Sequence, residues 1–224
     1  MMMQDYLTPG PMVDSDNPDI VAFTEANKGS GKTEKEKAIR LYFAIRDGVR
    51  YDPYSSTLEP DRLKASHTLS EGRGYCVAKA VLLAAACRAA GIPARLGFAD
   101  VRNHMSTEKM RERMQTDIFY WHGYTDIYLE GKWVKATPAF NVELCDKFGL
   151  KALDFNGEED SIYHPFDTSG NRHMEYILYR GEYAEPPVEE IMKTYVTHYP
   201  HWRNRSNSAT GDFDAEVAAE TAKS

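Results

Sequence analysis

Apolar positions Ala38, Ile39, Leu41, Tyr42, Ile45 and Val49 recur at three- and four-residue intervals, which predicts an amphipathic helix over 34–48. Thr33 followed by Glu36 is a capping-box signal for its start. Residues 77–90 are apolar nearly all the way round, the pattern of a buried central helix, with Gly91 as its cap and Pro93 closing it off. The period then changes. "ARLGFADV" reads as a strand, 106–115 as a polar helix, and "HGYTDIYL" and "KWVKATPA" as a hairpin around Glu130-Gly131. Residues 142–150 and 187–197 read as helices. Helices before an antiparallel sheet that packs on the buried helix make an α+β arrangement.

Between these elements, residues 1–33 are rich in Pro, Gly, Asp and Ser and read as an extended arm with a helical turn around 19–26. Residues 49–75 carry turn chemistry and read as a long connection lying over a site, anchored by Tyr51, Tyr54 and Leu63. Residues 34–200 form the expected catalytic domain, and 201–224 a polar tail expected to be disordered or a loosely docked helix. "GSGKT" lacks the spacing of a phosphate loop and no strand precedes it.

The 224 residues carry a net charge of −7, which argues against a nucleic-acid surface. No run approaches the roughly 18 apolar residues of a membrane helix, and the N-terminus has no signal-peptide pattern, so a cytoplasmic protein without membrane contact is expected. Three cysteines, Cys76, Cys87 and Cys145, fit neither a disulfide framework nor a zinc ribbon. Asp160, His164, Asp167 and His173 match no ligand spacing, and no acidic loop suits calcium, so neither metal nor cofactor is expected. His198 and His201, in "HYPH", carry still less metal signal.

Candidate chemistry centres on "GRGYCVAKAVLLAAACRAAGIPAR". Cys76 follows a Gly-Arg-Gly-Tyr loop and opens the buried helix, where unpaired N–H groups favour a thiolate. A cysteine nucleophile also needs a base. Of seven histidines, His122 lies within a strand, with Tyr124, Asp126 and Tyr128 on one face. Each feature alone fits an ordinary core residue as well as a catalytic one.

Three blocks in order, "EKAIRLYFAIRDGVRYD", the cysteine block ending Arg88–Arg95, and "WHGYTDIYLEGKWVKATP", resemble the core of the transglutaminase-like superfamily over about residues 35–140. The resemblance implies a papain/transglutaminase-like fold with Cys76 as nucleophile and His122 as base. Where the family has Asp-Pro-Thr, this chain has Thr137-Pro138-Ala139, so the position that orients the histidine carries Thr137, with Asn141 as alternate. Asp126 is charged but about 13 Å from His122 along an extended strand, and is expected to hold a neighbour.

The implied reaction is acyl transfer at an amide or ester through a thioester, most simply hydrolysis of a peptide, protein or small amide. An amine-accepting transglutaminase is one alternative. A catalytically impaired domain serving as a protein-binding scaffold is the other, for which the missing aspartate speaks. The Cys76 N–H is the first oxyanion donor. Tyr51 or Tyr54 is a candidate second donor, and Tyr51, Tyr54, Tyr75, Tyr120, Trp121 and Tyr124 are candidates for an aromatic cleft. Residues 154–177 are expected to fold back as a hairpin at its rim. Cys87, about 16 Å along the same helix, is too far to resolve an oxidised Cys76.

Overall fold

The computed structural model describes residues 3–57, 59–103, 106–162, 174–203 and 211–221. Helix α1 (Pro18–Asn27) and α2 (Glu34–Gly48) come first, then strand β1 (Arg50–Tyr51), α3 (Ala65–Glu71) and β2 (Arg73–Gly74). The central helix α4 (Cys76–Ala89) leads into β3 (Ala94–Asn103), α5 (Glu108–Met114), β4 (Ile118–Leu129) and β5 (Lys132–Ala136). After them come α6 (Val142–Phe148), β6 (Met174–Tyr183), α7 (Val188–His198), α8 (Pro200–Arg203) and α9 (Phe213–Thr221).

The main sheet runs β5-β4-β3-β6 with every pairing antiparallel. One face packs on α4, and α1, α2 and α3 pack on α4 from elsewhere, so thirteen of its fourteen residues are buried. That explains the alanine-rich sequence: small side chains let the sheet and three helices approach one helix closely. Helix α2 starts where expected, with both bonds of the Thr33–Glu36 capping box formed. The β4–β5 turn places Glu130 at φ 50° and Gly131 at φ 88°, the left-handed pair that a tight hairpin turn needs. On the sheet's other face Asp126 binds Arg95 at 2.7 and 2.9 Å, and the guanidinium stacks over Trp133 at 4.1 Å. Asp126 thus holds β3 to β4.

Two expectations need correction, and a third resolves between its alternatives. The N-terminal arm is folded, not extended: Asn17 caps α1, Val13 and Ile20 are fully buried, and the Glu185 carboxylate accepts the Met12 and Val13 N–H groups. Of the two alternatives for the tail, the docked helix holds over 213–221, where α9 buries Phe213 and Val217, one turn apart. Residues 204–210 and 222–224 lie outside the described residues. Of the segment expected as a rim hairpin, the described parts join the main sheet: Ser161 bridges to Ala136, and residues from Met174 open β6, which pairs with β3, while 163–173 lie outside the described residues. His164, Asp167 and His173 lie outside the described residues, while Asp160 accepts the Lys135 N–H at 2.9 Å. No helix among the described residues is long and apolar enough to cross a membrane.

Candidate active site

The loop before Cys76 is built by its two glycines. Gly72 ends α3 at φ 63°, a conformation that glycine adopts without strain. A side chain at Gly74 would press on Thr68 and on Ala78 at 3.0 and 3.1 Å. Strands β1 and β2 then pair in parallel, with Arg50 and Asp52 N–H groups bonded to Gly72 and Gly74 carbonyls, which pins Tyr51 beside the start of α4.

Tyr75 is the N-cap of α4 and supplies no side-chain cap. The first N–H groups of the helix are therefore open to the thiol. The backbone N–H groups at the helix start and the Gly123 N–H on β4 favour the charged form of the Cys76 sulfur. Gly123 reaches it because it has no side chain: a Cβ there would lie 3.0 Å from the Val77 Cα. These donors favour the thiolate, but burial outweighs them and pushes the thiol up to about 11. The resting thiol is protonated at neutral pH. Cys87 and Cys145 are also free and buried, and burial raises both.

His122 is buried and immediately precedes Gly123, opposite Ala99 on β3. The strand is bulged here, with Trp121 at φ 59° and its N–H on the Asp100 carboxylate at 3.1 Å. Thr137 lies one step past the last β4–β5 pair, Thr125–Ala136. Its backbone is held by Ser161 and Tyr42, at 3.0 and 3.1 Å, while its buried hydroxyl has no hydrogen-bond partner among the described residues. The alternate, Asn141, has its amide engaged elsewhere: its oxygen accepts the Tyr51 N–H at 3.2 Å and its nitrogen donates to Glu143 at 2.8 Å.

Cys76 opens onto a cavity of about 500 Å³, mouth included. Tyr51, Tyr75 and Tyr120 line it, but Tyr54 and Trp121 do not. The Tyr54 hydroxyl donates to Glu216 of α9 at 2.6 Å, and the Trp121 indole donates to Thr194 at 2.9 Å, so each polar tip is turned to another element. Tyr124 lies over Gly97, whose missing side chain makes room for its ring. The sequence reading missed Tyr195 and Tyr199 of the α7 region, Arg113 of α5 and His201 of α8, which also line it. Burial and the charge of neighbouring Arg113 push His201 down to about 4, so it is neutral near pH 7.

No protein of curated function is significantly similar in sequence. Among solved structures, a candidate cysteine protease from Cytophaga hutchinsonii is similar over 81% of this chain and 54% of its own, at 19% identity and a TM-score of 0.49. A candidate protease from Parabacteroides distasonis is similar over 60% of this chain and 25% of its own, at 16% identity and a TM-score of 0.40. The chain thus spans about half the length of the first of these. The model of the transglutaminase-like superfamily matches residues 22–138, more than half of the chain, from α1 through the cysteine helix to the end of the histidine hairpin. The chain belongs to the transglutaminase-like superfamily.

Proposed function

We propose that the protein is a cysteine-dependent acyl hydrolase acting on amides or esters. The observation that carries this reading is the setting of Cys76: an uncapped helix start, backbone N–H groups there and at Gly123 that favour a charged sulfur, and an open cavity beside it. The Cys76 sulfur attacks the substrate carbonyl as the S–H proton passes to His122. The developing oxyanion takes hydrogen bonds from helix-start N–H groups, with the Tyr51 hydroxyl as a candidate further donor. The tetrahedral adduct collapses, the C–N or C–O bond breaks, and His122 returns the proton to the leaving group. Water then adds to the thioester with His122 as base, and the C–S bond breaks to release the acid and regenerate the thiol. With the resting thiol raised to about 11, the proton leaves in concert with attack rather than beforehand. Thr137 takes the third place of the site and offers a hydroxyl to the imidazole, without a charge to stabilise the imidazolium.

The raised thiol and the neutral Thr137 are what favour the second reading, a binding scaffold without turnover. Iodoacetamide labelling from pH 5 to 10, read by mass spectrometry at each cysteine, separates the two. In the wild type Cys76 should outpace Cys87 at least tenfold, with labelling between pH 6 and 8 that His122→Ala loses. In that variant labelling should climb only as an isolated buried thiol does, towards about 11. Turnover of p-nitrophenyl esters should vanish in Cys76→Ser. A Cys76 rate indifferent to His122 would remove the hydrolase reading and leave the scaffold. The same digests, run with an added primary amine, tell hydrolysis from amine transfer by product mass.

A further inference from the structure

The cavity beside Cys76 is walled mainly by tyrosines and by Met110 and Met114, with one permanent cation, Arg113, among them. The guanidinium lies over the Tyr54 ring at 5.6 Å and is half-buried. Among the described residues no carboxylate reaches it: its electrostatic partner is Tyr54. Glu216, which binds the Tyr54 hydroxyl, is held by Lys109 at 2.7 Å. His201, the other basic side chain of the wall, is neutral and bonds the Arg113 carbonyl at 3.1 Å. An arginine with partial burial and no acid beside it has given up hydration without an ion pair in return. In a chain of net charge −7, which as a whole repels anions, this places an isolated positive site in the wall of the nucleophile's cavity.

We infer that Arg113 is a specificity residue and that the acyl substrate carries a carboxylate close to its reacting carbonyl, on an apolar or aromatic body. This deepens the hydrolase reading and rests on it. Cys76 and Arg113 line the same cavity, so a substrate whose carbonyl meets the sulfur can bring a nearby carboxylate to the guanidinium. The planar guanidinium suits a two-point carboxylate contact, and it lies within cation–π reach of the Tyr54 ring. The carboxylate can be a peptide C-terminus or an acidic side chain, since both present the same group.

Paired alkylation tests this without requiring turnover. Iodoacetate and iodoacetamide deliver the same carbon to the thiol, one with a carboxylate and one without. At pH 8 in low salt, the iodoacetate-to-iodoacetamide rate ratio at Cys76 should exceed that of free N-acetylcysteinamide at least tenfold. The excess should shrink at least threefold in 0.5 M KCl, fall to the free-thiol value in Arg113→Gln, and return in part in Arg113→Lys. Protection of Cys76 by N-acetylphenylalanine or by N-acetylglutamate α-amide shows which carboxylate fits. A wild-type ratio at or below the free thiol's, an excess that salt leaves unchanged, or one that persists in Arg113→Gln would overturn the assignment. If Arg113→Gln does not fold, the wild-type ratio and its salt dependence decide. Loss of the His122 effect on labelling, by contrast, removes the hydrolase reading and leaves the anion site standing.

Discussion

The two ends of α4 face opposite demands. At the C-terminal end Gly91 turns left-handed at φ 76°, and the Gly91 and Ile92 N–H groups close on the Arg88 and Cys87 carbonyls, both at 2.9 Å. Arg88 there is spent on the Ala94 and Thr8 carbonyls at 3.0 and 2.9 Å, on the Ala184 carbonyl, and on Glu185 at 3.5 Å. It ties the N-terminal arm, the central helix and the end of β6 into one knot. At the N-terminal end the helix has no side-chain cap, its first N–H groups favour a charged sulfur, and a cavity opens beside them. Satisfied groups hold the fold, and groups left available can meet a reacting molecule.

The largest effect should come from breaking the satisfied end. Arg88→Met strips hydrogen bonds from three carbonyls and leaves Glu185 facing the gap without its cation. Removing one partner of a buried pair costs about 3–5 kcal/mol, which denaturant unfolding reads directly. Labelling of Cys76 per folded molecule should be unchanged. A variant as stable as the wild type would show that the arm is held by its apolar contacts at Val13 and Ile20 alone.

What was legible in the sequence follows the same division between local and distant causes. The capping box of α2, the glycine stop of α4 and the Glu130-Gly131 turn depend on neighbours a few residues away, so their residues announce them. Cys76 and His122 stood out through the blocks around them, and Gly123 shows why a glycine follows the histidine. The arm, α9 and half of the cavity wall were hidden because their partners are remote. Phe213 is buried against Tyr51 and Phe148, and Glu216 against Tyr54, contacts that no window along the chain contains. A weak signal was present in the one-turn spacings Phe213–Val217, Tyr195–Tyr199 and Met110–Met114, each of which turns out buried. Arg113 could not be singled out, because an arginine without a partner looks the same in sequence as one with a partner.

The open end should also be the pH-sensitive one. Lys79, one turn after Cys76, is fully buried and donates to the Arg46 and Val49 carbonyls at the end of α2, at 2.9 and 2.5 Å. Burial pushes its ammonium down to about 7, whereas the unfolded chain keeps the proton to about 10. Between those values the unfolded state binds more protons than the folded one, so stability rises with pH, by at most about 1.4 kcal/mol per unit. Below about 7 both states hold the proton and this contribution is flat. Melting temperatures from pH 6 to 9.5 should show the rise in the wild type and a flatter profile in Lys79→Met. Parallel profiles would mean that the two carbonyls hold the ammonium charged, and that this end is as fixed as the other.

The smallest effect, and the most direct probe of the site, is expected from Thr137→Asp. The hydroxyl at this position is buried and has no hydrogen-bond partner among the described residues, so little is lost with it. A carboxylate there gains a counter-ion when His122 takes the thiol proton, and it favours the imidazolium over the neutral ring. Cys76 labelling at pH 7 should then rise about tenfold, a gain of about 1.4 kcal/mol in the proton transfer, and the rise should depend on His122. Against it stands the cost of burying the charge, about 1–3 kcal/mol in unfolding free energy if no donor reaches it. The two contributions separate cleanly, since one is read by labelling and the other by unfolding. Loss of stability with unchanged labelling would show that Thr137 does not face the histidine. Faster labelling would mean that the open end of α4 is a working site running with one charge fewer than it can use.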